Sequence, residues 1–260
     1  MKRFLPLLLC FAALGAQALD VSKLPKLPEL RVGVEGAYPP FSTIAPDGTL
    51  QGFDIDIANA LCTEMKARCT LVQQEFDGLI PSLQSRKFDL IVASMAITPE
   101  RLKVVAFTDK YYNSANKLIA KIGSPIDGTP ERFKGLRIGV QRTTINDRYV
   151  TAKFTTATIV RYASQDEVYL DLAAGRVDAT MVDGIAGDVG FLKTPAGKGF
   201  GFVGPDYRDP AYFGAGAGIA LRQGDTELRD RLNAAIKAIR ANGTYQKLAS
   251  KYFNYDIYGQ

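Results

Sequence analysis

The chain has 260 residues, a net charge of +5 from 32 Lys and Arg against 27 Asp and Glu, no histidine and three cysteines. Zero histidines exclude Ser-His-Asp and Cys-His catalysis and any His-ligated metal, and three cysteines cannot supply a four-cysteine zinc site, so neither metal nor cofactor is expected. With 47% hydrophobic and 23% charged residues the composition is globular, long enough for one large or two modest domains, and without the basic stripe that follows nucleic acid.

In chain order, Lys2-Arg3 is a basic start, 4–14 an apolar run, and Ala16-Gln17-Ala18 a small-residue site. This is the three-part layout of a secretory signal over 1–18, cleaved after Ala18. The run is too short to span the ~30 Å hydrocarbon layer as a helix. A lipid anchor on Cys10 is disfavoured because Leu9 stands where a small residue is wanted, and the plainer alternative is a buried first helix. Cleavage removes two positive charges and Cys10, which leaves Cys62 and Cys69 in an oxidising compartment. They either form a structural bridge, worth about 2–3 kcal/mol on the chain-entropy argument, or stay as two buried thiols; a bridge with no redox role is expected.

Strand and helix patterns then alternate. A buried strand is predicted at 30–34, a helix at 55–65, a strand at 70–73, a short helix at 78–85 and a strand at 90–93. Pro99 suits the first turn of a further helix capped by Thr98. A second set follows: strand 137–140, helix 144–151, strand 159–162, helix 165–174 ended by Gly175, and strand 179–182. Last come a strand at 218–221 and a helix at 226–240 with Gly243 just past its end. Such alternation predicts two α/β lobes with parallel sheets. The segments 110–116 and 206–214 read as extended crossings between them. Residues 19–110 with 215–260 would form the first lobe and 111–214 the second, with a ligand cleft between.

Several stretches carry a resemblance in order along the chain: Glu35-Gly-Ala-Tyr-Pro-Pro-Phe41, Gly52-Phe-Asp-Ile-Asp-Ile-Ala58, Phe76-Asp-Gly-Leu-Ile-Pro-Ser-Leu83, Ile97-Thr-Pro-Glu-Arg101, and Gly243-Thr-Tyr-Gln-Lys247 before Lys251-Tyr-Phe253. Together they resemble the family-3 solute-binding proteins, and more narrowly the lysine/arginine/ornithine- and histidine-binding proteins of bacterial ABC importers, including the Cys62/Cys69 spacing. The resemblance implies the two-lobe type II periplasmic-binding-protein fold, each lobe a sheet flanked by helices and joined by two hinge strands. It also implies a monomer in the periplasm that hands an amino acid to an inner-membrane ABC permease.

Carried over by position, the resemblance gives Arg101 the ligand α-carboxylate and Asp183 the α-ammonium. Tyr38 and Phe76 would sandwich the side chain, and Glu35 would meet its basic end. The helix opening at Thr144 would offer a hydroxyl and N–H groups. Ser94 and Ala96 would contribute main-chain contacts, since Ala93 and Ala96 stand where basic-amino-acid binders carry serines. Physical chemistry agrees: a desolvated zwitterion needs opposite charges, a guanidinium forks onto a carboxylate, and aromatic faces attract a cation. Each residue also has a plainer reading. Arg101 would be a solvated cation beside Glu100, Asp183 the N-cap of a helix starting at Gly184, Tyr38 and Phe76 core, and Glu35 a loop-edge charge.

Glu35, Arg101 and Asp183 together carry one net negative charge, which suits arginine, lysine or ornithine and disfavours an acidic ligand. Arg142, in a stretch where Thr143 replaces a usual glycine, would cancel that charge if it entered the cleft. A neutral side chain or an opine would then be favoured; a solvated loop cation is the preferred reading. Two other classes compete. One is a cyclohexadienyl dehydratase-like enzyme on the same scaffold, with Glu35 as its acid; the other is a ligand sensor for a membrane receptor.

Overall fold

The computed structural model describes residues 29–259. The expected secretory signal over 1–18 lies outside the described residues.

The chain opens with β1 (Leu30–Val34), then a small antiparallel ribbon of β2 (Ala37–Tyr38), β3 (Ser42–Ile44) and β4 (Leu50–Gln51). Next come helix α1 (Phe53–Glu64), β5 (Cys69–Gln73), α2 (Phe76–Gln84), β6 (Leu90–Ile91) and β7 (Ala106–Tyr112). The middle of the chain supplies β8 (Asn116–Lys121), β9 (Arg137–Gln141), α3 (Ile145–Lys153), β10 (Thr158–Tyr162), α4 (Gln165–Ala173), β11 (Ala179–Asp183), α5 (Gly184–Gly187) and β12 (Phe200–Tyr207). The last part returns through α6 (Pro210–Phe213), β13 (Ala217–Leu221), α7 (Thr226–Ala241) and α8 (Thr244–Ala249).

These strands form two five-stranded sheets, ordered β5-β1-β6-β13-β7 and β10-β9-β11-β8-β12. Each is the centre of one lobe. The all-parallel sheets expected from strand–helix alternation are corrected to mixed ones. β1 runs parallel to β5 and β6, but β13 is antiparallel to both β6 and β7. In the second sheet β9 is parallel to β10 and β11, while β8 is antiparallel to β11 and β12. The physical reason is that the connecting chain is itself strand. β7 runs to Tyr112 and β8 starts at Asn116, so a segment that looked like a linker supplies the edge of the first sheet and an interior strand of the second.

Local chemistry explains the elements that hold the cleft. In β1 and α1 the apolar residues Val32, Val34, Ile57 and Leu61 are buried in one core with Leu232 and Ile236 of α7. Cys62 and Cys69 form a disulfide that ties the end of α1 to β5. α1 begins after Gly52, whose φ of +126° and close approach to the Phe41 carbonyl leave no room for a Cβ. The helix predicted after Pro99 is only a single 3-10 turn, Arg101–Lys103, although Thr98 does accept from the Arg101 N–H at 3.2 Å. α3 starts one residue later than predicted, with Thr144 as its N-cap. α5 starts at Gly184 with Asp183 as N-cap, accepting from the N–H groups of Ile185 and Ala186.

Candidate ligand cleft between the lobes

One cavity between the lobes is lined by Glu35, Tyr38, Phe76, Ser94, Ala96, Arg101, Thr144 and Asp183. All eight residues singled out in the sequence therefore meet at one place, from six separate stretches of chain. Ala93, Tyr112, Asn113, Ser114, Asn116 and Gln141 line it too, with Asn146 and Gln165.

The charged groups are arranged around the cavity wall. The Arg101 guanidinium donates to the Ala96 carbonyl at 3.1 Å and lies 5.4 Å from the Phe76 ring centroid. Burial pulls its pKa down to about 10. Asp183 is buried and accepts from the Ser114 hydroxyl as well as from its two capped N–H groups. Its carboxyl is raised by burial, against the pull of those donors. The plain N-cap reading of Asp183 and the site reading thus hold together, because one oxygen caps α5 while the residue still faces the cavity.

Glu35 is 4% exposed and accepts from Gln141 Nε2 at 2.6 Å, a contact that crosses from one lobe to the other. Burial pushes its carboxyl up to about 8; the Gln141 bond opposes this, and the nearby acids Asp54, Asp166 and Asp77 add to it. Asp54, just behind the Ser94 wall, is also buried and is raised to about 7, mainly by burial. The cavity wall thus carries two buried carboxyls, Glu35 and Asp183, against one guanidinium, with Asp54 behind it. The excess is an environment for a cation.

One expected contribution changes. The Thr144 hydroxyl does not point free into the cleft: it donates to the Gln141 carbonyl at 2.8 Å and accepts from the Asp147 N–H at 3.1 Å. Capping a helix start leaves the hydroxyl no spare capacity, so what this corner can offer is its N–H groups. Ser94 likewise spends its hydroxyl inward, on Asp54 at 2.9 Å.

Arg142 stays outside the cavity. It pairs across the lobes with Asp77 and with Glu75, the latter at 3.0 Å, and its side chain is 41% exposed. It is therefore not the free solvated cation expected, nor a cleft charge. Arg148 makes a second crossing, to Glu100, and also donates to the Ala211 carbonyl at 2.6 Å. With the Gln141–Glu35 bond these contacts bridge the two lobes.

Sequence reasoning missed Gln141, Asn146, Asn116, Ser114 and Asp54. Gln141 sat in the stretch flagged for its departures, but amides carry no charge signal. Asn116 Oδ1 and Asn146 Oδ1 are buried without a protein partner, so a ligand with donors would satisfy them.

Comparison with known proteins accords with this geometry. The chain is 52% identical over 253 residues to an L-arginine-binding protein of Pseudomonas aeruginosa, covering 95% of this chain and 98% of that protein. It is 42% identical over 261 residues to the lysine/arginine/ornithine-binding periplasmic protein of Escherichia coli, covering all of both. A solved periplasmic binding protein of Salmonella typhimurium, described for high arginine specificity, superposes with a TM-score of 0.81 at 32% identity, over 88% of this chain and all of that one. The profile of the bacterial extracellular solute-binding proteins, family 3, matches residues 30–255, and the chain belongs to that family.

Proposed function

We propose that this protein captures a basic amino acid (arginine, lysine, ornithine or histidine) in the periplasm and delivers it, as a monomer, to an inner-membrane ABC permease. The observation that carries the reading is the buried carboxyl excess on the cavity wall: Glu35 and Asp183 against Arg101 alone. The names of the relatives above support the same ligand class.

In this reading Arg101 grips the α-carboxylate, helped by N–H groups at the start of α3. Asp183 takes the α-ammonium, Tyr38 and Phe76 flank the stem, and Glu35 receives the distal cation. Ser94 and Ala96 contribute main-chain groups. The lobes, taken as 19–110 with 215–260 and 111–214, close by bending at the crossings near 110–116 and 206–214. Because Arg142 is held by Asp77 and Glu75, the condition that favoured an opine is not met.

The test is calorimetric titration of refolded, ligand-stripped protein, since a copurified ligand masks the site by mass action. Tight binding of at least one basic amino acid, and none of octopine or glutamine at comparable strength, is the expected result. Binding of octopine alone would overturn it. The protein is read as a binder without catalysis, and conversion of arogenate or prephenate to an aromatic product would overturn that part.

A further inference from the structure

Asp54 is 1% exposed and is absent from the cavity lining. It stands in the first turn of α1, where an acid ordinarily complements the helix dipole from the surface. Here it is turned inward instead. One oxygen accepts from the Tyr111 hydroxyl at 2.6 Å and the other from the Ser94 hydroxyl at 2.9 Å. The Tyr111 oxygen accepts in turn from the Ser94 N–H at 2.9 Å.

The object of this network is Ser94. Its φ is +50°, a left-handed conformation that costs a residue with a side chain roughly 1 kcal/mol or more. Ala93, Ser94 and Ala96 all line the cavity, and Arg101 is anchored on the Ala96 carbonyl. The bend at Ser94 therefore sets the position both of the lining main chain and of the arginine. With its hydroxyl and N–H both tied to Asp54 and Tyr111, the group Ser94 has left to offer is its carbonyl. Asp54, Ser94 and Tyr111 all belong to elements around the first sheet, so the network does not depend on closure.

We propose that Asp54 is a positioning residue of the amino-acid site, holding Ser94 in the left-handed bend that presents the 93–96 main chain to the ligand and seats Arg101. The proposal rests on the reading of the cavity given above. It makes a specific demand: glycine takes positive φ without a steric cost, so Ser94→Gly relieves the need for Asp54.

The experiment titrates wild type, Asp54→Asn, Ser94→Gly and the double variant with arginine, and measures amide exchange at 93–96 in each without ligand. Asp54→Asn is expected to bind arginine about tenfold more weakly and to exchange faster at 93–96. The double variant is expected to bind within about threefold of Ser94→Gly alone, a rescue that a purely structural role for Asp54 does not give. Wild-type affinity in Asp54→Asn, or a double variant that binds well beyond threefold more weakly than Ser94→Gly alone, overturns the proposal. If Asp54→Asn does not fold, Tyr111→Phe takes its place under the same rescue criterion. If wild type binds no basic amino acid the functional reading fails. The exchange data still decide the positioning claim, which falls if Asp54→Asn leaves exchange at 93–96 unchanged.

Discussion

Replacing the ligand's charge, rather than a residue of the protein, gives the sharpest test of the Glu35 assignment. Citrulline is a neutral isostere of arginine, so the two ligands differ mainly at the end assigned to Glu35. In the closed cleft burial pushes the Glu35 carboxyl from 4.5 up to about 8. Once the lobes part and Gln141 withdraws, water returns to the group and its pKa falls back toward the ordinary value. The closed state without a cation therefore favours protonated Glu35. The cost of closing on it is full above pH 8 and vanishes as pH falls through 4.5. At pH 7 that cost amounts to about 3 kcal/mol, or roughly 300-fold, and at pH 5 to only about fourfold. A cation that pairs with Glu35 offsets the cost; citrulline does not. Asp54 and Asp183 are raised for both ligands and cancel in the ratio. Calorimetry at the two pH values should thus show an arginine preference over citrulline that shrinks by up to about 75-fold from pH 7 to pH 5. Glu35→Gln should flatten the ratio. A preference that is the same at both pH values in wild type would refute the assignment of Glu35 as the group that reads the charge.

Asp183→Asn keeps an N-cap for α5 but removes the charge proposed to meet the α-ammonium. Amino-acid affinity should fall about 100-fold or more while the thermal midpoint stays close to wild type, and unchanged affinity would take Asp183 out of the site. Arg142→Ala breaks a partly exposed pair that spans the lobes. All ligands should weaken together by less than about tenfold, through faster dissociation in stopped-flow release, and a ligand-selective loss would contradict its place outside the cavity. Cys62→Ser/Cys69→Ser removes a cross-link of a 7-residue separation, so unfolding in urea should lose about 2 kcal/mol with arginine affinity unchanged.

The cavity-lining residues were legible where they carried charge or an aromatic ring in an ordered set of motifs. Arg101, Asp183, Glu35, Tyr38 and Phe76 line one cavity because each lies at or next to the end of an element: Asp183 and Tyr38 end strands, Glu35 follows β1, and Phe76 and Arg101 open helical turns. What sequence could not convey was hydroxyl allegiance. Thr144 and Ser94 have donors and acceptors enough for several partners, and only the fold shows that a cap and a buried acid claim them. Asp54 was hidden by its own position, since an acid in the first turn of a helix needs no further explanation. The sheet direction was misread for a related reason. β13 is legible as a strand, but nothing in its residues fixes its direction, and the crossing strands β7, β8 and β12 mix polar residues, Gly and Tyr among their apolar ones; the antiparallel pairing is decided by where the chain returns.

The place of β13 in its sheet has a consequence for how the molecule is assembled as it emerges from N to C terminus. β13 lies between β6 and β7, and α7 and α8 follow it, so the first lobe lacks an interior strand until residues beyond 217 are available. Until then β6 and β7 each present an unpaired edge and the α1 face has no α7 to cover it. The strands of the second sheet, by contrast, are contiguous from Asn116 to Tyr207 and need nothing from either end of the chain. The order of synthesis thus leaves the first lobe waiting for its own closing strand and helices, which arrive only with roughly the last sixth of the chain, after the second sheet is complete.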